Sequence, residues 1–588
     1  VKDDLPISPE ENAQPLHQSE RELAQMTDTA YRAAISQLTT GLSPASLLLN
    51  YYDWALHMAM SPGKQMQLAE LAVENGVRFY RYLAECALNH QAGVCEQPDS
   101  HDRRFRHEGW NHQPFNAFQQ AFLLTQKWWD EATTNVRGVA LEHEKVVNFT
   151  ARQLLDAMAP TNFILSNPEI LAKTVETGGR NLIDGWHNYM EDLRRVLLKE
   201  KEPQPEEFQV GKTLAVTPGK VIYRNRLIEL IQYAPTTDKV QPEPVLIVPA
   251  WIMKYYILDL SPENSMVKFL TDQGFTVFMV SWRNPDAEDA ELGMMDYRQM
   301  GPMAAIDQIQ QITGAARIHG VGYCLGGTLL SIAAAAMARD GDDRLATMTL
   351  LAAQMDFTEA GELTLFINES EVSFLEDMMW KNGYLDASQM AGAFQLLRSN
   401  DLIWSRLQHE YLMGERPTSN DLMAWNSDTT RMPYRMHSEY LRHLFLDNDF
   451  AAGRFEVEGF PVTPRDINVP IFAVGTETDH VAPWKSAYKT GELTRSEDVT
   501  FVLTNGGHNA GVVSEPGHPR RHYRMGHIFT NNHYTSAEEW AEKAKEYQGS
   551  WWLGWVDWLK MHQTGEQIAP PKMGKAICDA PGTYVLIP

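Results

Sequence analysis

Hydrophobic and polar positions along the 588-residue chain change their period near residue 200. Upstream, apolar residues recur at the three-to-four spacing of a helix face, as in "SPASLLLNYYDWALHMAMSPGKQMQLAELAVENGVRFYRYLAECAL" from Ser43 to Leu88. Ser61-Pro62-Gly63 breaks that run into two helices. Helical patterns continue to about residue 200, with turns at Pro160 and Pro168. The first 25 residues or so are polar and read as a disordered lead-in, and "KEKEPQPEE" (199–207) reads as a linker. The expected division is a lead-in over 1–25, a helical domain over 26–205 and a catalytic domain over 206–588.

Beyond the linker, short β-branched runs alternate with helical stretches. Strands are predicted at Val245–Val248, Thr276–Val280, the run into Tyr323, Met348–Leu351, Ile471–Val474 and Thr500–Leu503. Such alternation predicts an α/β domain with a mostly parallel sheet and helices on both faces, preceded by an all-α N-terminal domain. Between about Asp356 and Phe455 the strand signal gives way to a helical block rich in aromatic residues and methionine. That block is expected to be a cap inserted over an active site.

Composition narrows the field. Hydrophobic residues make up 44% and charged residues 22%, as in a folded globular chain. The formal net charge of −25 argues against general nucleic-acid binding. Four scattered cysteines (Cys86, Cys95, Cys324, Cys578) fit neither a disulfide framework nor a zinc site, and a reducing cytoplasmic setting is the simplest expectation. The acidic opening stretch does not have the charge and apolar pattern of a secretory signal. No apolar run reaches the roughly 18 residues of a spanning helix.

The chemistry concentrates in "RIHGVGYCLGGTLLSIAAAAMA" (317–338), where a strand turns sharply through glycines into an alanine-rich helix with Cys324 at the turn. This is the shape of a nucleophile elbow, Gly-x-Ser-x-Gly, with sulfur in place of the serine oxygen. A helix N-terminus behind the turn favours a thiolate. "IFAV" then runs into "GTETDHVAPW", placing Asp479 after a strand, and "TFVL" runs into "TNGGHNAGV", placing His508 after the next. Nucleophile, acid and histidine in that order, each after a strand, are the catalytic signature of an α/β-hydrolase core. His480 is a rival base, but His508 follows the last strand, where the fold puts its histidine; His480 is expected to line the pocket. An oxyanion hole needs the backbone N–H of Leu325 and one from the loop "VPAWIMKYY", among Ala250–Ile252, with Trp251 preferred. His518, His522, His527 and His533 lie among arginines without an HExxH pattern and read as a mobile surface loop, not a metal site. No phosphate-cradling loop or dinucleotide fingerprint is present, so neither a metal nor a separate cofactor is expected.

Sulfur at the elbow carries its own argument. Passing an acyl group from a coenzyme A thioester to a cysteine exchanges one thioester for another, a nearly level step. The acyl-enzyme keeps its reactivity towards an alcohol, whereas a serine ester would lie lower. Cysteine therefore suits an enzyme that stores an activated chain and hands it to a hydroxyl, and it is also compatible with a thioesterase.

From about Asp102 onward the chain resembles the polyhydroxyalkanoate synthases. The match rests on "DRRFRHEGW" (102–110), "APTNFILSNPE" (159–169), "KYYILDLSPENS" (254–265), "VSWRNP" (280–285), "GYCLGGT" (322–328), "WNSDTTRMP" (425–433), "TDHVAPW" (478–484), "GGHNAGV" (506–512) and "SWWLGWVDW" (550–558). The resemblance implies joining of 3-hydroxyacyl-coenzyme A units into polyester with release of coenzyme A, which enters and leaves with the substrate. It places the family's catalytic residues on Cys324, Asp479 and His508, with the aspartate either orienting the histidine or activating the substrate 3-hydroxyl. It also implies a homodimer at the surface of cytoplasmic polymer granules, with the helix pair at 43–90 as a contact surface. Arg398, Asn448 and His480 become candidates for coenzyme A contact, and Trp425 for a place near the active site or the dimer contact. Ala510, small and two residues after His508, fits the one-subunit, short-chain class, so 3-hydroxybutyryl-coenzyme A is the expected substrate. Met253 and Asn509 depart from the family pattern, which usually carries a polar residue and isoleucine there; Asn509 is expected to make the pocket mouth more polar. The competing readings are a cysteine-type hydrolase or thioesterase on the same fold and a non-enzymatic granule scaffold.

Overall fold

The computed structural model describes residues 14–39, 41–88, 93–99, 102–198, 200, 206–386, 399–530 and 533–588. The chain divides into two compact units. One comprises residues 43–203 and 391–419; the other comprises 1–42, 204–390 and 420–588.

The larger unit is built on an eleven-stranded sheet. Its strands are β1 (Gly219–Arg224), β2 (Ile228–Tyr233), β3 (Val245–Val248), β4 (Val277–Trp282), β5 (Ile318–Tyr323) and β6 (Leu345–Leu351), then β7 (Ile471–Thr476), β8 (Val499–Thr504), β9 (His522–His527), β10 (Lys545–Gln548) and β11 (Cys578–Asp579). They lie in the order β10-β9-β8-β7-β6-β5-β3-β4-β2-β1-β11. All six strands predicted from sequence are present, and they pair in parallel as neighbours. Alternate residues serve the two faces. Leu246, Val248, Phe278 and Val280 enter one apolar core. Val245, Ile247, Val277 and Met279 enter the other.

The antiparallel flanks were not legible as strands. In β2 the buried Glu229 and Gln232 break the apolar run. Glu229 is satisfied there by the backbone N–H groups of Thr583 and Tyr584, each at 2.9 Å. The segment read as a mobile histidine-rich loop is in part strand β9, paired antiparallel to β8 through residues such as Tyr523 and Met525. Its polar side chains hid it because one side of this outer strand is only half-buried.

The first helix, α1 (Gln14–Leu38), begins inside the stretch read as a disordered lead-in, and it belongs to the larger, sheet-containing unit instead of the helical one. It packs on α9 (Glu369–Trp380), with Arg32 and Asp377 3.4 Å apart. The polar sequence of α1 misled because most of its described surface is exposed. The inserted block is helical, with α9, α10 (Asp421–Ser427) and α11 (Tyr434–Tyr440), although its residues 391–419 group with the smaller unit.

The smaller unit holds α2 (Pro44–Ala59), α3 (Pro62–Leu88), α4 (Phe115–Thr133), α5 (Leu141–Ala157), α6 (Pro168–Glu176) and α7 (Arg180–Leu198). Helix α4 packs on α3 and α5 and has a small aromatic core with Phe105, Trp110 and Phe122. Among the described residues, no helix is long and apolar enough to cross a membrane.

Candidate active site

Strand β5 ends at Tyr323 and helix α8 (Leu325–Arg339) begins one residue later. Cys324 is the hinge between them, at φ 53° and ψ −125°. An L-residue is strained at positive φ, and the surrounding bonds hold it there. Its N–H donates to the Leu351 carbonyl at 2.9 Å, and its own carbonyl accepts from Gly327 N–H at 2.9 Å. A Cβ on Gly322 would lie 2.3 Å from the Gly327 Cα, and one on Gly326 only 2.2 Å from the Val248 carbonyl oxygen. The flanking glycines are therefore what lets the strand, the helix and β3 close around the thiol.

Asp479 lies in the turn after β7, its side chain fully buried. One carboxylate oxygen accepts from the backbone N–H groups of Val481 and Ala482, both at 2.9 Å. The other accepts from the Thr476 hydroxyl at 3.1 Å and from His508 Nδ1 at 2.7 Å. With Nδ1 so engaged, Nε2 is left for the Cys324 thiol, which is near enough to bear on the protonation of the imidazole. Burial alone would depress the imidazole pKa, but the charges of Asp479 and Cys324 and their hydrogen bonds outweigh it and hold His508 well above its ordinary value. Burial likewise lifts Asp479, yet His508 and the two backbone N–H groups leave it below the usual carboxylate range. The loop that carries His508 is clamped from behind. The buried indoles of Trp551 and Trp552 donate to the carbonyls of Gly511 and Val512, each at 3.0 Å.

The loop after β3 runs beside the elbow. Trp282 Nε1 donates to the Pro249 carbonyl at 2.9 Å, Thr430 Oγ1 to the Trp251 carbonyl at 3.4 Å, and Trp425 Nε1 to the Lys254 carbonyl at 2.8 Å. Lys254 Nζ in turn donates to the carbonyls of Val585 and Ile587, at 2.9 and 2.5 Å. Trp425 is thus a buried prop behind this loop. Trp251 is itself buried, with an indole N–H that finds no hydrogen-bond partner among the described residues. Leu325 opens α8 directly after the thiol.

The inserted block contributes Tyr440. Burial holds its phenol well above the ordinary pKa, and the neighbouring Cys324 adds to the effect. Its ring meets Trp251 edge-on at 6.1 Å and Phe357 at 6.3 Å.

Other expected site residues are placed unevenly. Asn448 adopts the left-handed conformation, and its amide binds the start of the insertion: Oδ1 accepts from Phe357 N–H at 3.1 Å, and Nδ2 donates to Asp356 at 3.0 Å and Thr358 at 3.2 Å. His480 is half-buried, and its carbonyl accepts from Glu362 N–H at 3.3 Å. Ala510 is half-buried two residues past His508. Asn509 is not simply a polar mouth residue: its Oδ1 accepts from the Tyr323 hydroxyl at 2.6 Å. Arg398 lies outside the described residues. The sequence reading missed Tyr323, Tyr440 and Lys254: Tyr323 fills a position that the elbow motif leaves open, Lys254 stands in a quoted stretch with no role attached to it, and Tyr440 lies in none of the motifs.

The arrangement can move a proton from sulfur to an imidazole held by a carboxylate, at the end of a parallel sheet. That is the layout of an α/β-hydrolase, and a model of the alpha/beta hydrolase fold matches residues 243–515. Models of the N-terminal regions of poly-beta-hydroxybutyrate polymerase match residues 22–64 and 101–270. The chain is 40% identical over 521 residues to a poly(3-hydroxyalkanoate) polymerase of Methylorubrum extorquens, covering 87% of this chain and 85% of that one. It is 37% identical to the poly(3-hydroxyalkanoate) polymerase subunit of Cupriavidus necator, over 82% of this chain and 83% of that one. Poly(3-hydroxyalkanoate) polymerase 1 of Ectopseudomonas oleovorans is 32% identical over 83% of this chain and 87% of its own. The chain belongs to the poly(3-hydroxyalkanoate) polymerases, acyltransferases that make polyester from hydroxyacyl-coenzyme A.

Proposed function

We propose that the protein polymerises (R)-3-hydroxybutyryl-coenzyme A and related short 3-hydroxyacyl thioesters through a covalent thioester on Cys324. His508 Nε2 takes the thiol proton, and the sulfur attacks the acyl carbonyl. The carbon–sulfur bond to coenzyme A breaks, and the departing thiolate recovers the proton from His508. The hydroxyl of an incoming unit then gives its proton to His508, and its oxygen attacks the Cys324 thioester. An ester forms as the bond to Cys324 breaks. Asp479 keeps Nδ1 occupied and supports the imidazolium in both halves. The backbone N–H groups of Leu325 and Trp251 receive the developing oxyanion.

The observation that carries this reading is the 2.7 Å His508–Asp479 contact, together with a cysteine held on a strained strand-to-helix elbow. The short-chain preference is supported by the small Ala510 two residues past His508 and by the poly-beta-hydroxybutyrate polymerase models that match the chain. Homodimer formation and a place at the granule surface belong to the same proposal. Exposed Leu49, Tyr52 and Leu56 on α2 and Tyr80 on α3 are apolar surface available for such contacts.

Incubation with 3-hydroxybutyryl-coenzyme A tests the reading: coenzyme A release should accompany growing turbidity, and Cys324→Ala should abolish both. Free 3-hydroxybutyrate without polymer would favour a thioesterase instead. Undiminished thiol release by Cys324→Ala would remove the nucleophile assignment.

A further inference from the structure

Each catalytic side chain has a neighbour in sequence, and two of those neighbours meet. Tyr323 is the last residue of β5, immediately before Cys324, and it is 2% exposed. Asn509 immediately follows His508. The Tyr323 hydroxyl donates to Asn509 Oδ1 at 2.6 Å. The phenol ring also lies against the imidazole, with centroids 5.8 Å apart and planes inclined by 32°. Asn509 is fixed in turn by its backbone carbonyl, which accepts from Val512 and Val513 N–H at 3.1 and 3.0 Å.

We propose that Tyr323 and Asn509 are positioning residues whose hydrogen bond fixes the distance and angle between the Cys324 thiol and His508. This deepens the reading of Cys324 as nucleophile and rests on it. Both residues act through Cys324 and His508, and neither takes or gives a proton or an acyl group in the reaction. The bond joins the strand that ends at the nucleophile to the loop that carries the base, two parts of the chain 186 residues apart. The strands that carry them, β5 and β8, are not adjacent in the sheet, where β6 and β7 lie between them. Sheet pairing therefore ties the two loops only indirectly, while the Tyr323–Asn509 bond ties them directly. Burial, reinforced by the charges of Cys324 and Asp479, keeps the Tyr323 hydroxyl protonated, so it remains a donor across the working pH range. An apolar side chain at 509 cannot accept this bond. Transfer of the thiol proton is steeply sensitive to alignment, so a small displacement of the imidazole is costly.

The test compares Tyr323→Phe, Asn509→Leu, the double variant and Cys324→Ala. It uses 3-hydroxybutyryl-coenzyme A turnover, the pH profile of Cys324 alkylation by iodoacetamide, and thermal melting. Each single variant should lower kcat about tenfold with KM changed less than about twofold, and should shift the alkylation profile. The double variant should lose no more than the worse single, because both remove one bond. Singles with normal kcat and an unshifted profile, or losses that multiply in the double, would overturn the proposal. Should Tyr323→Phe melt early, the half-buried Asn509→Leu carries the test by itself through the same two readouts. If Cys324→Ala is inert while the singles behave as the parent, only the positioning role fails. If Cys324→Ala stays active, the nucleophile reading fails and the positioning role fails with it.

Discussion

At the scale of single residues, the Asp479–His508 pair sets the pH range in which the site is assembled. Asp479 is held below the usual carboxylate range. Its contribution to stability is present above that range and is lost as pH falls through the depressed value. His508 is held well above 6.5, so its contribution is complete below the ordinary imidazole range and is lost only as pH rises through the raised value. Neutral pH lies inside the window the two define. Asp479→Asn removes the charge that raises His508. Melting temperature followed against pH should then fall off at lower pH on its alkaline side, and acylation of Cys324 should slow by roughly 10³-fold or more. An alkaline limb that does not move would mean that Asp479 does not govern His508.

At the scale of elements, the site is a meeting of loops, each braced by something remote in sequence. The loop after β3 is propped by Trp425, through its bond to the Lys254 carbonyl, and by the segment 585–587 through Lys254 Nζ. Trp425→Phe keeps a ring in place and removes one donor. It should cost about 1–2 kcal/mol of stability, from the lost bond and a small void. If the loop supplies an oxyanion donor, kcat should fall severalfold with KM little changed. Steady-state kinetics beside a denaturant melt measure both. A change confined to KM would separate this loop from the transition state. The parallel strands and the elbow were legible because apolar runs and glycine spacing are local signals. The braces were not, because a tryptophan or lysine shows its partner only once the chain has folded.

At the scale of the whole molecule, the catalytic unit is assembled from pieces distant in the chain. Helix α1 packs on α9 of the inserted block and adds no strand to the sheet. Removing residues 1–42 should therefore leave the sheet folded while freeing α9. Limited proteolysis should cut within 356–455 faster in the shortened protein than in the full chain, with circular dichroism otherwise similar. Equal cutting rates would show that α1 does not restrain the insertion. The exposed Arg32–Asp377 pair contributes little to this restraint, on the order of 1 kcal/mol or less.

The sequence alone determined the parallel strands, the inserted helical block, the elbow at Cys324 and the order of Cys324, Asp479 and His508. These follow from hydrophobic period, glycine placement and chain order, all of which are properties of short segments. Tertiary structure decided that α1 joins the catalytic unit, that β9 completes an antiparallel flank, and that Asn448 binds Asp356, Phe357 and Thr358. It also decided that Tyr323 and Asn509 meet. Each of these depends on contacts between residues far apart in the chain, and no local pattern encodes which distant group a polar side chain will find.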